Sequence, residues 1–214
     1  MKQKTQNLIM DFLNTHTDMV YLKDEFINAV ELLVECVKNN KIMTCGNGGS
    51  ASDSEHIAGE LLKSFMLKRD IPKAFKDKLA SEFGDDGVLI GENIQGGIKC
   101  IPLTSFCAFN TAFLNDCNEK MLFAQQVYAL GEKGDVLIAI STSGNSKNVV
   151  YAVKLAKTMG IKVIALTGES GGKLKDLADV LLNAPSNLVY KIQEYHLPIY
   201  HLLCLCLENE IFGE

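Results

Sequence analysis

Two segments of this chain, DVLIAIS (135–141) and IKVIALTG (161–168), are near-continuous apolar runs with no polar alternation. A strand that faces water on one side alternates. A run like these is covered on both faces, which is the condition of a parallel sheet reached through helical crossovers. The stretch between them, NSKNVVYAVKLAKTMG (145–160), supplies such a crossover, with apolar residues at helical spacing and Gly160 placed to end the helix. Shorter strands are expected at KIMTC (41–45), KCIPLT (99–104) and DVLLNAP (179–185). The fold class that follows is α/β, a three-layer αβα sandwich around a parallel sheet.

The other helices read less evenly. Residues 4–39 carry Leu8, Phe12, Val20, Phe26, Val30, Leu33 and Val37 at roughly helical spacing and are expected to be helical. Helices are also expected at Ser50–Met66, 105–114, 119–131 and about 188–211, with a short one at GGKLKDLA (171–178). The long helices thus stand at the two ends of the chain. Residues 67–98 are charged and glycine-rich, with weak periodicity. They read as a helical piece at Ala74–Phe83 followed by a loop or flap, an insertion within a single domain spanning 1–214.

Composition excludes some functions. A net charge of -5 argues against a nucleic-acid partner, because phosphate backbones select basic faces, although a local trap for a small anion remains open. The seven cysteines are odd in number, irregularly spaced and free of C-x-x-C, which reads as buried, reduced thiols in a cytosolic protein. The first 22 residues lack the unbroken apolar stretch of a signal peptide, and no apolar run reaches membrane-spanning length. A cytoplasmic protein with no membrane partner is expected.

Three strand ends share one grammar: CGNGGS (45–50), STSGNS (141–146) and LTGESGG (166–172) each put Gly, Ser and Thr between a strand and a helix. In open α/β sheets ligands bind at these carboxyl ends. Gly46, Gly48 and Gly49 permit a sharp turn and a close backbone approach, and the following helix N-terminus offers free N–H groups beside the Ser50 hydroxyl. Ser141, Thr142, Ser143 and Ser146 add further hydroxyls. One such loop alone is ordinary helix capping. Two, after two strong strands, suit a phosphate or a polyhydroxylated ligand held by neutral donors, without the lysine of a P-loop. Gly46-x-Gly48-x-x-Ala51 also matches a dinucleotide fingerprint, but no strand ending in an acidic residue follows at the required distance.

His56 and Glu60 stand four residues apart and share a helix face. Alone they would be a solvated surface pair. KIQEYHLPIYH (191–201) changes the balance by adding Gln193, Glu194, His196 and His201 among apolar residues. Gln193 and His201 are eight apart, within a quarter turn of one another on a helix, with Pro198 free to bend it between them. These side chains suit either a metal site with N and O ligands or an acid/base pair.

Taken in order, GNGGSASDSEHIAGEL, NTAFLND, GDVLIAISTSGNSKNV, VIALTGESGGKL and KIQEYHLPIYH resemble the sugar-isomerase (SIS) fold and, more narrowly, the phosphoheptose isomerases. The resemblance covers most of the chain. It implies interconversion of sedoheptulose 7-phosphate and D-glycero-D-manno-heptose 7-phosphate through an enediol, the entry to the heptose of bacterial surface polysaccharides. It also implies a homotetramer with sites formed between subunits, and in many members a bound zinc ion; the terminal helices are expected to build the oligomer. Carried over by motif, the metal ligands would be His56, Glu60, Gln193 and His201, with Glu60 as general base and His201 as general acid. Asn47, Gly48, Gly49, Ser50, Asn115, Asp116, Ser141, Thr142, Ser143, Ser146 and Gln193 would contact the substrate.

Similar DiaA-like proteins are non-catalytic tetrameric scaffolds that bind the replication initiator DnaA and lack the glutamate and the last histidine. This chain keeps both, as Glu60 and His201. A scaffold or sugar-phosphate sensor, and an isomerase of another phosphosugar, stand as the alternatives. Three departures from the family pattern bear on the exact sugar: Lys63-Ser64-Phe65 where a Gly-Arg-aromatic stretch is usual, Val189-Tyr190-Lys191 where an acidic residue is common, and the added segment 67–98.

Overall fold

The computed structural model describes residues 1–213. Five strands, β1 (Ile42–Cys45), β2 (Cys100–Pro102), β3 (Val136–Ile140), β4 (Lys162–Thr167) and β5 (Val180–Asn183), form one sheet in the order β2-β1-β3-β4-β5. Every neighbouring pair is parallel; Ile42 registers with both Cys100 and Val136, Val136 with Lys162, and Ile164 with Val180.

Strand geometry sends alternate side chains to opposite faces, which divides the core in two. Ile42, Val136, Ile138, Ile140, Ile164 and Leu166 point into one layer, formed by α1 (Gln3–Thr15), α2 (Lys23–Cys36), α3 (Gly49–Leu62) and α8 (Val189–Phe212). Met43, Cys45, Leu137, Ala139, Val163 and Ala165 point into the other, formed mainly by α6 (Leu122–Leu130) and α7 (Lys147–Thr158). All five residues of β3 are buried, as a run without alternation requires. Each such aliphatic side chain contributes about 1.5–3 kcal/mol over its exposed state. Between β2 and α6 lies α5 (Cys107–Asp116), none of whose residues is buried.

The structure corrects several sequence expectations. The helix expected over 4–39 is two helices separated by a 3-10 stretch at Thr17–Leu22. His16 leaves helical geometry (φ -112°, ψ 68°), its ring stacked on Phe12 at 4.3 Å, and the bend lets α1 and α2 both lie on α8. The helix expected to reach Met66 stops at Leu62, and Lys63 is extended. The amides of Phe65, Met66 and Leu67 turn instead to the Glu208 carboxylate, at 2.8, 2.9 and 3.0 Å.

The segment read as a helical piece and a loop is helical throughout Lys73–Asn93 (α4), apart from a break at Gly84 (φ 57°, ψ -131°). A side-chain carbon on Gly87 would lie 1.9 Å from the Leu79 carbonyl oxygen, and one on Gly91 would touch Lys76. The two halves of α4 therefore fold back on each other as a hairpin that requires glycine at 84 and 87, and among the described residues α4 packs extensively on no other element. The helix expected over 171–178 is a single 3-10 turn at Gly172–Leu174. All seven cysteines are free; five are buried, but Cys107 and Cys117, at the two ends of α5, are exposed. Among the described residues no helix is long and apolar enough to cross a membrane.

Candidate active site

The strand order reverses at β1, whose neighbours are β2 and β3, so a crevice opens at the carboxyl ends of β1 and β3. Both Ser- and Gly-rich loops expected to bind an anion flank this point. After β1, Gly48 takes a left-handed φ of 57°, and a Cβ on Gly46 would sit 2.5 Å from the Ser50 carbonyl oxygen. The turn is tight enough to start α3 at Gly49, with the Ser50 amide bonded to the Asn47 carbonyl at 3.1 Å and the Ala51 amide to that of Gly48 at 2.9 Å. After β3, the Ser141 hydroxyl lies 3.0 Å from that of Ser146 and accepts from the Ser146 amide at 3.4 Å. The Ser143 hydroxyl accepts from the Asn145 amide. The Thr142 carbonyl accepts from the Gly168 amide, which brings the third loop alongside. Gly144 (φ 63°) passes so close to Gly171 that a side chain there would meet the Gly171 carbonyl at 2.0 Å. The first two loops are joined by Asn47 and Asn148, whose side-chain amides bond reciprocally at 2.9 and 2.8 Å.

The second constellation is assembled by α3 and α8. His56 Nε2 lies 3.1 Å from Glu60 Oε1, the two residues being one turn apart on α3. The His201 ring, from α8, stands 5.0 Å from the His56 ring at 89°. Three neighbours complete the group. The Tyr200 hydroxyl is 2.9 Å from His56 Nδ1, the Phe65 ring is 5.4 Å from His201, and Lys63 Nζ is 3.4 Å from Glu60 Oε2. The His56 side chain is 42% exposed and that of Glu60 14%, so the group is open to solvent on one side. His201 Nε2, by contrast, is buried without a hydrogen-bond partner.

Gln193 lies against the start of α3: a Cβ on Gly49 would come within 2.4 Å of its Nε2, so the Gln193 amide occupies the space beside Gly49. Among the described residues, no three His, Cys, Asp or Glu side chains are gathered to hold a metal ion. Asn115 and Asp116, at the end of α5, hydrogen-bond to each other at 2.8 Å and to no other candidate residue.

Burial and the neighbouring His56 lower the pKa of His201, against the pull of Glu60, so its imidazole is neutral at physiological pH. Burial raises Asp53 to about 6, with the Tyr200 hydroxyl and His56 acting in the other direction. Burial and Asp53 together keep the Tyr200 phenol protonated well above its ordinary value. Tyr200, Asp53 and Asn148 were not singled out from the sequence. Tyr200 had one signal, its place directly before His201, and Asp53 another, three residues before His56 on the same helix face.

His196, also in the 191–201 stretch, does not join the group. It is fully buried, with Nε2 3.1 Å from the Thr167 carbonyl and Nδ1 unpartnered. Burial lowers its pKa from the usual 6.5 to about 4, only partly offset by the hydrogen bond to Thr167. As pH falls, the unfolded chain therefore takes up the proton first, and stability is lost between pH 6.5 and 4 at about 1.4 kcal/mol per pH unit. Urea unfolding should show wild type losing about 3 kcal/mol more than His196→Gln between pH 7 and pH 4. Equal losses would mean that His196 protonates in the folded state.

The parallel sheet with its reversal at β1 and its Ser- and Gly-rich strand ends defines a sugar-isomerase-type α/β domain, and the SIS domain family model matches residues 98–168. The chain is 40% identical over 189 residues to the phosphoheptose isomerase of Helicobacter pylori strain Shi470, covering 88% of this chain and 85% of that protein. It is 33% identical to the phosphoheptose isomerase of Akkermansia muciniphila over the full length of both. The solved structure of the phosphoheptose isomerase from Neisseria gonorrhoeae superposes with a TM-score of 0.73 at 35% identity, covering 94% of each chain. The chain belongs to the phosphoheptose isomerase family.

Proposed function

We propose that this protein isomerises sedoheptulose 7-phosphate to D-glycero-D-manno-heptose 7-phosphate in the cytoplasm through an enediol. The observation that carries the reading is the Glu60–His56–His201 group on α3 and α8, on the helix that starts from the Gly-rich loop at the strand reversal. The Glu60 carboxylate takes a proton from C1 while a ring N–H of His201 gives one to the C2 oxygen, and the C1–C2 double bond of the enediol forms. Glu60 then returns its proton to C2, His201 recovers one from the C1 hydroxyl, and the aldehyde is left at C1. A neutral His201 retains the N–H this requires. The phosphate lies on the Gly49 amide and on the hydroxyls of Ser50, Ser141, Thr142, Ser143 and Ser146, with Asn47, Gly48, Asn115, Asp116 and Gln193 on the sugar. Ser50 and His56 are separated by about 9 Å of helix axis, which an extended seven-carbon chain bridges. Holding the distant phosphate keeps C1 and C2 in register with the base.

The donor types, two imidazoles, a carboxylate and an amide oxygen, are ones zinc accepts, although the His and Glu side chains are not gathered as a metal cluster among the described residues. Tyr200 holds Nδ1 of His56 as outer partners hold metal-ligating imidazoles, and His201 Nε2 is a buried lone donor without a partner. His56, Glu60, Gln193 and His201 would hold the ion, and a zinc ion bound there would supply carbonyl polarisation. Leu62 and Met66, shortly after Glu60 in the chain, are exposed at 54% and 73%, and a neighbouring subunit of a homotetramer would cover them and close the open side of the group.

The test is a coupled assay of purified protein with sedoheptulose 7-phosphate, run with zinc and after chelation, and with the unphosphorylated heptulose as a second substrate. Turnover of the phosphate ester alone is expected. Turnover of neither overturns the reading, and equal turnover of both overturns the role of the serine loop.

A further inference from the structure

The chain has one arginine, Arg69, and it is buried. Its guanidinium makes three hydrogen bonds in three directions: Nε to Glu208 Oε1 at 2.7 Å, Nη1 to the Leu61 carbonyl at 2.8 Å, and Nη2 to the Glu60 carbonyl at 3.0 Å. The last two acceptors belong to the final turn of α3, whose carbonyls have no partner within the helix. Glu208 is equally occupied, accepting from Arg69 and from the consecutive amides of Phe65, Met66 and Leu67. Both side chains are withdrawn from solvent, at 0% and 1% exposure. The Ser64 hydroxyl accepts from the Arg69 amide at 3.1 Å and closes the strap 63–69 into a ring.

This network touches both proposed proton-transfer groups without contacting the substrate side of either. Arg69 grips the backbone of Glu60. Glu208 lies seven residues after His201 on one face of α8, and the strap it holds presents Phe65 to the His201 ring and Lys63 to the Glu60 carboxylate. We infer that Arg69, through its bonds to Glu208 and to the last turn of α3, is a positioning residue that sets Glu60 against His201. The inference rests on the isomerase reading for its kinetic consequence, but its geometric content stands apart from that reading. A lysine in this place would keep the charge on Glu208 yet has no planar fork to reach Glu208, Leu61 and Glu60 together.

The experiment is Arg69→Lys, which keeps the buried ion pair and so the fold. With sedoheptulose 7-phosphate, kcat should fall about 10- to 100-fold while KM stays within about threefold, because a displacement of the base near 1 Å costs chemistry rather than binding. Side-chain NMR of the four histidines gives the second readout: the His56 and His201 ring signals should shift, while those of His16 and His196 stay in place. An unchanged kcat with unchanged His56 and His201 signals overturns the inference. So does a shift of all four histidines together, which would mark general loosening rather than positioning. If wild type itself turns over no heptulose phosphate, the isomerase reading fails, and the histidine signals alone decide whether Arg69 positions the group.

Discussion

Glu60→Gln is expected to cut turnover of sedoheptulose 7-phosphate by about 100- to 10,000-fold, the range that removal of a positioned general base spans. That corresponds to about 3–5 kcal/mol of lost transition-state stabilisation. Folding should be untouched. The Glu60 carboxylate partners only His56 and the exposed Lys63, whereas it is the Glu60 backbone carbonyl that takes part in the buried network. Glutamine keeps the size and a hydrogen-bonding oxygen for His56, and loses only the basicity. Steady-state kinetics beside circular dichroism and thermal unfolding of the same preparation separate the two effects. Near-normal turnover would remove Glu60 as the base. A variant that loses activity and unfolds early would show that its carboxylate supports the fold.

What could be read from the sequence was local. β3 and β4 announced themselves because a strand buried on both faces has no polar alternation, and the turn residues behind them marked the ligand end of the sheet. His56 and Glu60 were legible because helical spacing alone puts them on one face. The break after α1 was not, because Thr15 and His16 are tolerated within a helix and the bend is fixed by packing on α8. The second half of α4 was missed for a related reason. Gly84, Gly87 and Gly91 have low helix propensity, and their use in bringing two helical halves together shows only when both halves are in place. The Arg69–Glu208 pair spans 139 residues of sequence. Its one trace was a carboxylate following the apolar run LLCLCL on a helix, which calls for a buried cation, in a chain with a single arginine to answer.

That pair sets the other large expected effect. Arg69→Met should destabilise the protein by about 3–5 kcal/mol, because it leaves the Glu208 charge buried without its cation and strips the Glu60 carbonyl of its donor, whereas the Leu61 carbonyl keeps the Ile98 amide at 2.9 Å. The pH dependence identifies the cause. Burial alone would raise the pKa of Glu208, but the amides of Phe65 and Met66, the Arg69 guanidinium and the amide of Leu67 outweigh it and hold the carboxyl below its usual value. A carboxyl depressed in the fold contributes fully above its unfolded value and loses that contribution as pH falls through the folded one. Without Arg69, burial acts on Glu208 with less to oppose it, and the carboxyl protonates more readily in the folded state. The deficit of Arg69→Met relative to wild type should therefore be largest at pH 7 and shrink as pH is lowered toward 4, as read from urea midpoints across that range. A deficit independent of pH would assign the loss to the missing donors and packing alone. No deficit at any pH would mean that Glu208 reaches solvent or another cation, and the clamp on α3 would lose its physical basis.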